Sequence, residues 1–222
     1  MDYQKCNWYF NGVHYGFPIF LLIMGIILFI CGCNGSAACF VSGLALIVLS
    51  IWMIDNKRKQ KVTDEEYEAE IAHEISEIEQ RALNKLGLDK KAMVIDPIQL
   101  DHYCWDDNVI HKEGADGLLR SNRYEISMLF FTADEVHFYN YKFCTTQSDQ
   151  KEFTDMYFYQ DIVSVSTGSE ILTICGSKQE VEKFYLRTAG GNALDISFSN
   201  VDDVQGKIVA LRNLLREKKK QG

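Results

Sequence analysis

The sequence has no Asp, Glu, Lys, Arg or His between Tyr15 and Ile54, a span of 40 residues. One bilayer crossing needs about 20 apolar residues at a rise of about 1.5 Å each, so this span is long enough for two crossings. Helices are favoured because every backbone polar group in hydrocarbon must be satisfied within its segment. The only part dense in Gly, Asn and Ser, "CGCNGSA", predicts a tight turn. We therefore predict a transmembrane hairpin over residues 17–54, with helices at 17–33 and 37–54.

The same lack of charge bears on what the hairpin could do. An ionisable side chain inside the membrane would mark an ion path or proton relay, and neither predicted helix has one, which argues against a dedicated transporter. A pore built from several copies stays open as an alternative, because apolar walls can gate by dewetting. Small residues would allow close packing of the helices with each other or between copies: Gly25, Ala38, Ser42 and Gly43.

Three of the seven cysteines lie in the stretch "ICGCNGSAAC". A zinc or iron–sulfur site needs about four ligands, and this side of the membrane offers no fourth Cys or His. In an oxidising compartment Cys31 or Cys33 could reach Cys39 across the turn as a disulfide. We interpret the stretch as a turn without a metal.

Positive charge follows the second helix directly, whereas the turn between the helices has none. The excess of Lys and Arg on one side predicts that this end is cytoplasmic. The protein is then a two-pass inner-membrane protein with both termini in the cytoplasm, an interfacial segment at 1–16 and a basic linker at 55–62. Aromatic residues at Tyr9, Phe10 and Tyr15 fit the same interface. The predicted membrane-surface residues are Lys57, Arg58, Lys59, Lys61, Trp8 and Trp52.

The remainder of the chain is short of positive charge. Residues 62–222 contain 29 Asp and Glu against 18 Lys and Arg, a net charge of −11. Such a segment is not expected to bind nucleic acid by bulk electrostatics, since phosphate binding depends on Lys and Arg. The basic linker is instead the part predicted to touch anionic lipid.

A helix is predicted over residues 63–87. Thr63 and Glu66 have the spacing of a capping box, and Gly87 stands where a left-handed cap is favoured. One narrow apolar stripe runs along it: Tyr67, Ile71, Ile75, Ile78, Ala82 and Leu86. Two interpretations stay open, a helix packed on its own domain and a coiled-coil stalk that pairs with other copies.

Residues 90–122 form the least regular part of the sequence, and they contain its only collection of metal-ligand residue types at short range. The spacing matches no closed zinc pattern and fails the EF-hand loop, because Ile110 stands where an oxygen ligand is needed. The weak metal candidates are His102, Cys104, Asp106, Asp107 and His111. The chain also lacks H-E-x-x-H, G-x-S-x-G and a Gly-rich phosphate loop, so the sequence favours a non-enzymatic protein without a cofactor.

From Arg120 the pattern becomes that of β-strands rich in Tyr, Phe, Val and Ile, separated by short polar turns. About seven short antiparallel strands are predicted before Asn200, which can cap a final helix. That helix has one apolar face: Val204, Ile208, Leu211 and Leu215.

The stretches "LFFTADEVHFYNYKF", "YFYQDIVSVST" and "KIVALRNLLREKK" resemble those of bacterial PH-like (pleckstrin-homology superfold) membrane proteins, over about residues 92–217. The resemblance implies an α+β protein in which residues 88–222 form an antiparallel β-barrel or sandwich closed by a C-terminal helix. We expect a membrane-anchored scaffold or sensor that self-associates and binds an unidentified protein or small molecule. The alternatives are a ligand-gated pore-forming effector and a metal-dependent enzyme centred on residues 102–116.

Overall fold

The computed structural model describes residues 1–33, 35–106, 108–174, 176–191, 193–199 and 201–221. The protein is α+β, and its chain divides into two compact units, residues 2–69 and residues 70–222. Asp107, one of the predicted metal candidates, and Asn200, the predicted cap, lie outside the described residues.

The first unit is helical. Its helices are α1 (Tyr3–Asn11), α2 (Gly16–Cys33), α3 (Ala37–Arg58) and the first turns of α4 (Asp64–Ser76). Helices α2 and α3 are long and apolar enough to cross a membrane. They extend slightly beyond the predicted bounds, so that the basic run begins in the last turn of α3.

Glycines allow α2 and α3 to pack closely. A Cβ added at Gly32 would lie 2.3 Å from the backbone nitrogen of Phe40, and one added at Gly43 would lie 2.4 Å from that of Phe29. Of the small residues singled out above, Gly25 and Gly43 are buried between the helices, whereas Ala38 and Ser42 are exposed. Gly32 was not among the small residues predicted to pack there.

Helix α1 is fixed by polar and aromatic contacts within the same unit. Asp2 caps it, because its carboxylate accepts hydrogen bonds from the backbone nitrogens of Gln4 and Lys5. The Tyr9 ring stacks on Tyr67 at 4.4 Å, and its hydroxyl donates to Asp64 at 2.8 Å. Tyr9 is therefore buried in protein, unlike the interfacial aromatic residue that the sequence suggested.

The predicted helix over residues 63–87 is interrupted. Helix α4 ends at Ser76, and α5 (Ile78–Leu86) begins after Glu77. The Ser76 hydroxyl donates to the carbonyl of His73 at 2.7 Å, a local bond that competes with the helical ladder and bends helices. The predicted capping box at Thr63 and the left-handed cap at Gly87 are both present.

The second unit contains the sheets. The strands are β1 (Ile95–Tyr103), β2 (His111–Glu113), β3 (Leu119–Ser121), β4 (Arg123–Phe131), β5 (Glu135–Cys144), β6 (Gln150–Phe158), β7 (Ile162–Ile174), β8 (Ser177–Thr188) and β9 (Ala193–Phe198). They form antiparallel sheets in the orders β1-β4-β5-β6, β7-β8-β9 and β2-β3. Within the described ranges these sheets do not close into a barrel.

Seven strands were predicted from Arg120 onward, whereas the described structure has six long strands there, β4 to β9, and a further long strand, β1, before them. Strand β1 lies in the segment that was expected to be the least regular, and it contains Pro97, which cannot donate to a ladder. It is an edge strand whose register shifts between Ile95 and Ile98, and such an irregularity accommodates proline. Strand β7 was expected as two strands, but Gly168 and Ser169 continue the ladder without a break.

The main core lies between the four-stranded and three-stranded sheets. Helix α6 (Val201–Gln221) contacts β1 and contributes the four apolar residues predicted for its inner face, all of which are buried. They pack in one cluster with residues such as Leu129, Phe184 and Leu186. Each fully buried Leu, Ile or Phe contributes roughly 1.5–3 kcal/mol.

The opposite face of the four-stranded sheet is also apolar. Ile126, Phe130 and Tyr139 point to this face and are completely buried. Helix α5 contacts β5 and buries its own Ile78 and Ala82. The four-stranded sheet is thus the middle layer of the second unit.

Candidate functional site

A row of polar side chains crosses the four-stranded sheet near one end of β1. His102 in β1 is directly opposite Glu125 in β4, and Glu125 is directly opposite Lys142 in β5. Directly opposed residues of antiparallel strands lie on the same face, so the three side chains are neighbours. Cys104 follows two residues after His102, and its backbone nitrogen donates to the carbonyl of Arg123 at 2.9 Å, which keeps it against β4.

This row faces the space between the two large sheets. The apolar core residues Ile98 and Leu100 precede His102 at two-residue intervals on β1, so His102 continues the same face. A cavity of about 220 Å³ lies here, and the three-stranded sheet contributes Leu172, Val181 and Ser197 to its wall. The site is therefore a small polar pocket at the end of the apolar intersheet core.

Three donor groups converge in the pocket. One ligand atom from each of His102, Cys104 and Glu125 lies within 4.8 Å of the other two. The Cys104 thiol contacts Glu125 Oε2 at 3.7 Å. Nδ1 of His102 is buried and has no hydrogen-bond partner among the described residues. A buried nitrogen without a partner costs free energy, and a ligand in the pocket would relieve this cost.

Burial sets the protonation of two of these groups. It lowers the pKa of His102, so the imidazole is neutral at physiological pH. It raises the pKa of Cys104 to about 12, so the sulfur is a protonated thiol. A hydrogen bond from Asn140 to Oε1 of Glu125, at 2.8 Å, fixes the orientation of this carboxylate.

Lys142 supplies the positive charge at the rim of the pocket. Its ammonium group donates to Asp106 Oδ2 at 2.6 Å and lies 3.9 Å from Glu125 Oε2. The hydrogen bond from Lys142 lowers the pKa of Asp106 and keeps that carboxylate ionised. Asp106 thereby holds Lys142 beside the three donor groups. The ammonium group lies closer to Asp106 than to Glu125.

Of the four predicted metal candidates that the structure describes, two belong to the cluster of donor groups. His102 and Cys104 meet in the pocket, Asp106 pairs with Lys142, and His111 is an exposed residue of β2, opposite Ser121. Sequence reasoning missed Glu125, which comes from a different strand. Only the antiparallel register of β1 with β4 could have revealed it.

The predicted stalk face is mostly covered within the chain. Tyr67, Ile71, Ile78 and Ala82 are buried, and Ile75 and Leu86 are half-buried. Their burial leaves little of the stripe for a second copy. It favours the interpretation in which the helix packs on its own protein.

The predicted membrane-surface residues are largely accessible. Trp52 is 60% exposed and Trp8 is half-buried. Arg58, Lys59 and Lys61 are exposed, and Lys59 forms an ion pair with Asp55 at 2.9 Å. The Lys57 ammonium group donates to the backbone carbonyl of His14, which ties the end of α3 to the segment before α2.

The turn cysteines are also accessible. Cys31 and Cys33 are exposed and Cys39 is half-buried, and all three are free thiols. The disulfide considered above is therefore not formed in this structure.

Comparisons with protein-family models, with curated proteins and with solved structures gave no match to this chain.

Proposed function

We propose that the chain is a membrane-anchored binding protein. Helices α2 and α3 cross the bilayer as a hairpin, and residues 70–222 form a PH-like binding module at the cytoplasmic face. The observation that carries this proposal is the apolar surface of the hairpin. Side chains such as Phe17, Val41 and Trp52 are each at least 60% exposed.

The exposed apolar surface of α2 and α3 is large. Exposed large apolar residues continue along both helices: Ile19, Phe20, Ile23, Ile26, Ile27, Ile30, Phe40, Leu44, Val48, Leu49 and Ile51. At about 25 cal/mol per Å² of apolar area, leaving them in water costs far more than inserting them in lipid. The basic residues at the end of α3 favour the cytoplasm for that end.

The layout of the second unit supports a PH-like module. Four consecutive long strands form one antiparallel sheet, three more form another, and a helix that covers the core follows them. The pocket between the sheets gives this module a place for a small ligand or ion. A shared layout does not by itself assign an activity, so the chemistry of the pocket decides the class of function.

That chemistry favours binding over catalysis. The nucleophile of cysteine enzymes is the thiolate, formed when nearby positive groups lower the thiol pKa. In this pocket burial raises the pKa of Cys104 instead. Between Tyr15 and Ile54, the described residues of α2 and α3 also include no Asp, Glu, Lys, Arg or His that would serve an ion path.

Membrane anchoring is tested by alkaline carbonate extraction of membranes that contain the full chain. We expect the protein to stay in the pellet. The double variant Leu44→Lys with Val48→Lys places two charges on one exposed face of α3, at a cost of about 2.5–3.5 kcal/mol each near the membrane centre. It should raise the fraction released to the supernatant, because α2 alone then holds the chain, whereas Leu44→Ala with Val48→Ala should leave that fraction unchanged.

A wild-type protein that is released by carbonate would overturn the anchoring part of the proposal. Dye-filled liposomes that carry the purified protein distinguish the binding protein from a pore-forming effector. We expect no leakage above that of protein-free liposomes, and dye release that scales with protein density would favour the pore.

A further inference from the structure

We infer that His102, Cys104 and Glu125 form a binding site for a divalent transition metal ion, with Zn²⁺ as the best-fitting ion. This goes beyond membrane anchoring and does not depend on it. The three residues bring the nitrogen, sulfur and oxygen donors that zinc prefers in proteins. They come from β1, the residue after it and β4, so a rigid sheet positions all three.

The distances fit an ion after small side-chain rotations. Tetrahedral zinc with bonds of about 2.0–2.3 Å places its ligand atoms roughly 3.3–3.8 Å apart. The Sγ–Oε2 distance of Cys104 and Glu125 is already 3.7 Å, and all three donor atoms lie within 4.8 Å. The ligands therefore need to contract by only about 1 Å.

The donor atoms of the cluster are available to an ion. Nδ1 of His102 is buried and has no hydrogen-bond partner among the described residues. Binding displaces the thiol proton of Cys104 into solvent as the sulfur–metal bond forms. No electron is transferred in this exchange.

The charges then balance. A divalent ion offsets one thiolate and one carboxylate, Cys104 and Glu125, while Lys142 stays paired with Asp106 at 2.6 Å. Lys142 lies 3.9 Å from Glu125 and is shared with Asp106. A divalent ion would therefore neutralise the Glu125 carboxylate more fully than this shared lysine does.

Three protein ligands leave the fourth tetrahedral position open. Catalytic and ligand-binding zinc sites have this arrangement, whereas structural sites are closed by four protein ligands. The adjoining cavity of about 220 Å³ has room for a water molecule or for a small anionic or thiol group. The class of ligand that this site would take is therefore a small Lewis base bound to the metal.

The test uses Co²⁺ as a spectroscopic probe on the full chain purified in detergent. The exposed turn thiols would bind cobalt adventitiously, so the starting protein carries Cys31→Ser, Cys33→Ser and Cys39→Ser. We expect one Co²⁺ per chain, with a thiolate-to-cobalt charge-transfer band in the near ultraviolet. Intense visible bands should report tetrahedral geometry, and added Zn²⁺ should abolish both sets of bands.

Ligand variants locate the site. Cys104→Ala should eliminate the charge-transfer band, and His102→Ala and Glu125→Gln should each weaken cobalt binding by at least about 100-fold, since even outer-shell changes cost 10–100-fold. The matched controls are Cys144→Ala, another buried thiol, and Glu152→Gln, a β6 carboxylate paired with Lys85. These controls should bind cobalt like the starting protein.

A second measurement needs no substitution at the ligands. The starting protein is briefly and partially unfolded and refolded, with or without Zn²⁺, and is then alkylated. We expect Zn²⁺ to slow the alkylation of Cys104 but not that of Cys144, as measured by peptide mass spectrometry. The proposal is overturned by a charge-transfer band that survives Cys104→Ala, by equal losses in the controls, or by alkylation of Cys104 at the same rate with and without zinc.

Discussion

At the scale of single residues, Tyr141 links β5 to the helices that cover its sheet. Its side chain is 1% exposed, and the Arg81 guanidinium lies over its ring at 4.7 Å. Its hydroxyl donates a hydrogen bond to Glu74 Oε1 at 3.0 Å or to Gln150 Oε1 at 2.8 Å. Arg81 also contacts Glu74, so one cluster of polar contacts fixes the helix residues on the strand.

Substitution of Tyr141 separates its ring from its hydroxyl. We expect Tyr141→Phe to lower the free energy of unfolding by about 1 kcal/mol, the usual net value of one hydrogen bond. Tyr141→Ala should lower it by about 3–5 kcal/mol, because it leaves a cavity under Arg81. Urea titration of the full chain in detergent measures both changes in unfolding free energy. Equal losses in the two variants would contradict the claim that the ring contributes more to stability than the hydroxyl.

The same residue makes stability depend on alkaline pH. Burial raises the pKa of Tyr141 from 10.0 to about 12, so the native state retains the phenol proton where the unfolded state loses it. The resulting stabilisation is complete below pH 10 and is lost as the pH rises toward 12. We expect a fall in unfolding free energy over this interval that is smaller in Tyr141→Phe. A variant with an unchanged fall would contradict the burial argument.

The sequence identified the pocket only in part. His102 and Cys104 could be predicted as candidates because the two residues are close in sequence, in one short segment. Glu125 could not be predicted, because its proximity depends on a register between strands 20 residues apart. His111 misled the prediction for the same reason, since closeness in sequence did not place it in the pocket.

At the scale of elements, the close packing of α2 against α3 depends on glycines. A Cβ on Gly43 would meet the Phe29 backbone at 2.4 Å and the Gly25 carbonyl oxygen at 2.8 Å. Backbone atoms cannot rotate away as a flexible side chain can. The two helices would have to separate to admit even a methyl group.

We therefore expect Gly43→Ala to destabilise the hairpin by about 1–3 kcal/mol, the usual cost of overpacking. Gly16→Ala is the matched control, because nothing lies within 4 Å of its added Cβ and alanine favours a helix. Apparent melting temperatures in detergent should fall for the first variant and stay equal or rise for the second. Equal changes in both would show that the close approach is unimportant.

Elements with a strong local pattern were predicted well, and those governed by pairing were not. Helix α6 was predicted because its apolar face repeats at helical spacing, and that face is buried as expected. Strand β1 was missed because Pro97 argues against a strand unless the strand lies at an edge. The break at Glu77 was missed because the apolar stripe continues across it.

At the scale of the whole molecule, composition predicted more than any motif. The uncharged span of 40 residues was enough to predict two apolar helices, because hydrocarbon selects against charge at every position. The change to a β-strand pattern from Arg120 predicted that sheets follow the helices. The intersheet pocket did not follow, since it requires both sheets to be assembled around the same core.

The central claim is that the hairpin crosses the membrane and returns, leaving residues 70–222 in the cytoplasm. The cysteines of the protein allow a direct test of this claim. In the turn, Cys31 and Cys33 are exposed and Cys39 is half-buried, whereas outside the hairpin Cys6, Cys104 and Cys144 are buried. The matched reporter for the other side is Gln205→Cys, at an exposed position of α6, in the variant that lacks the three turn thiols.

The decisive measurement is labelling of intact bacterial cells with a membrane-impermeant maleimide. The account predicts that the turn thiols are labelled in intact cells and that Gln205→Cys is labelled only after permeabilisation. Labelling of Gln205→Cys in intact cells, with protection of Cys31 and Cys33, would contradict it.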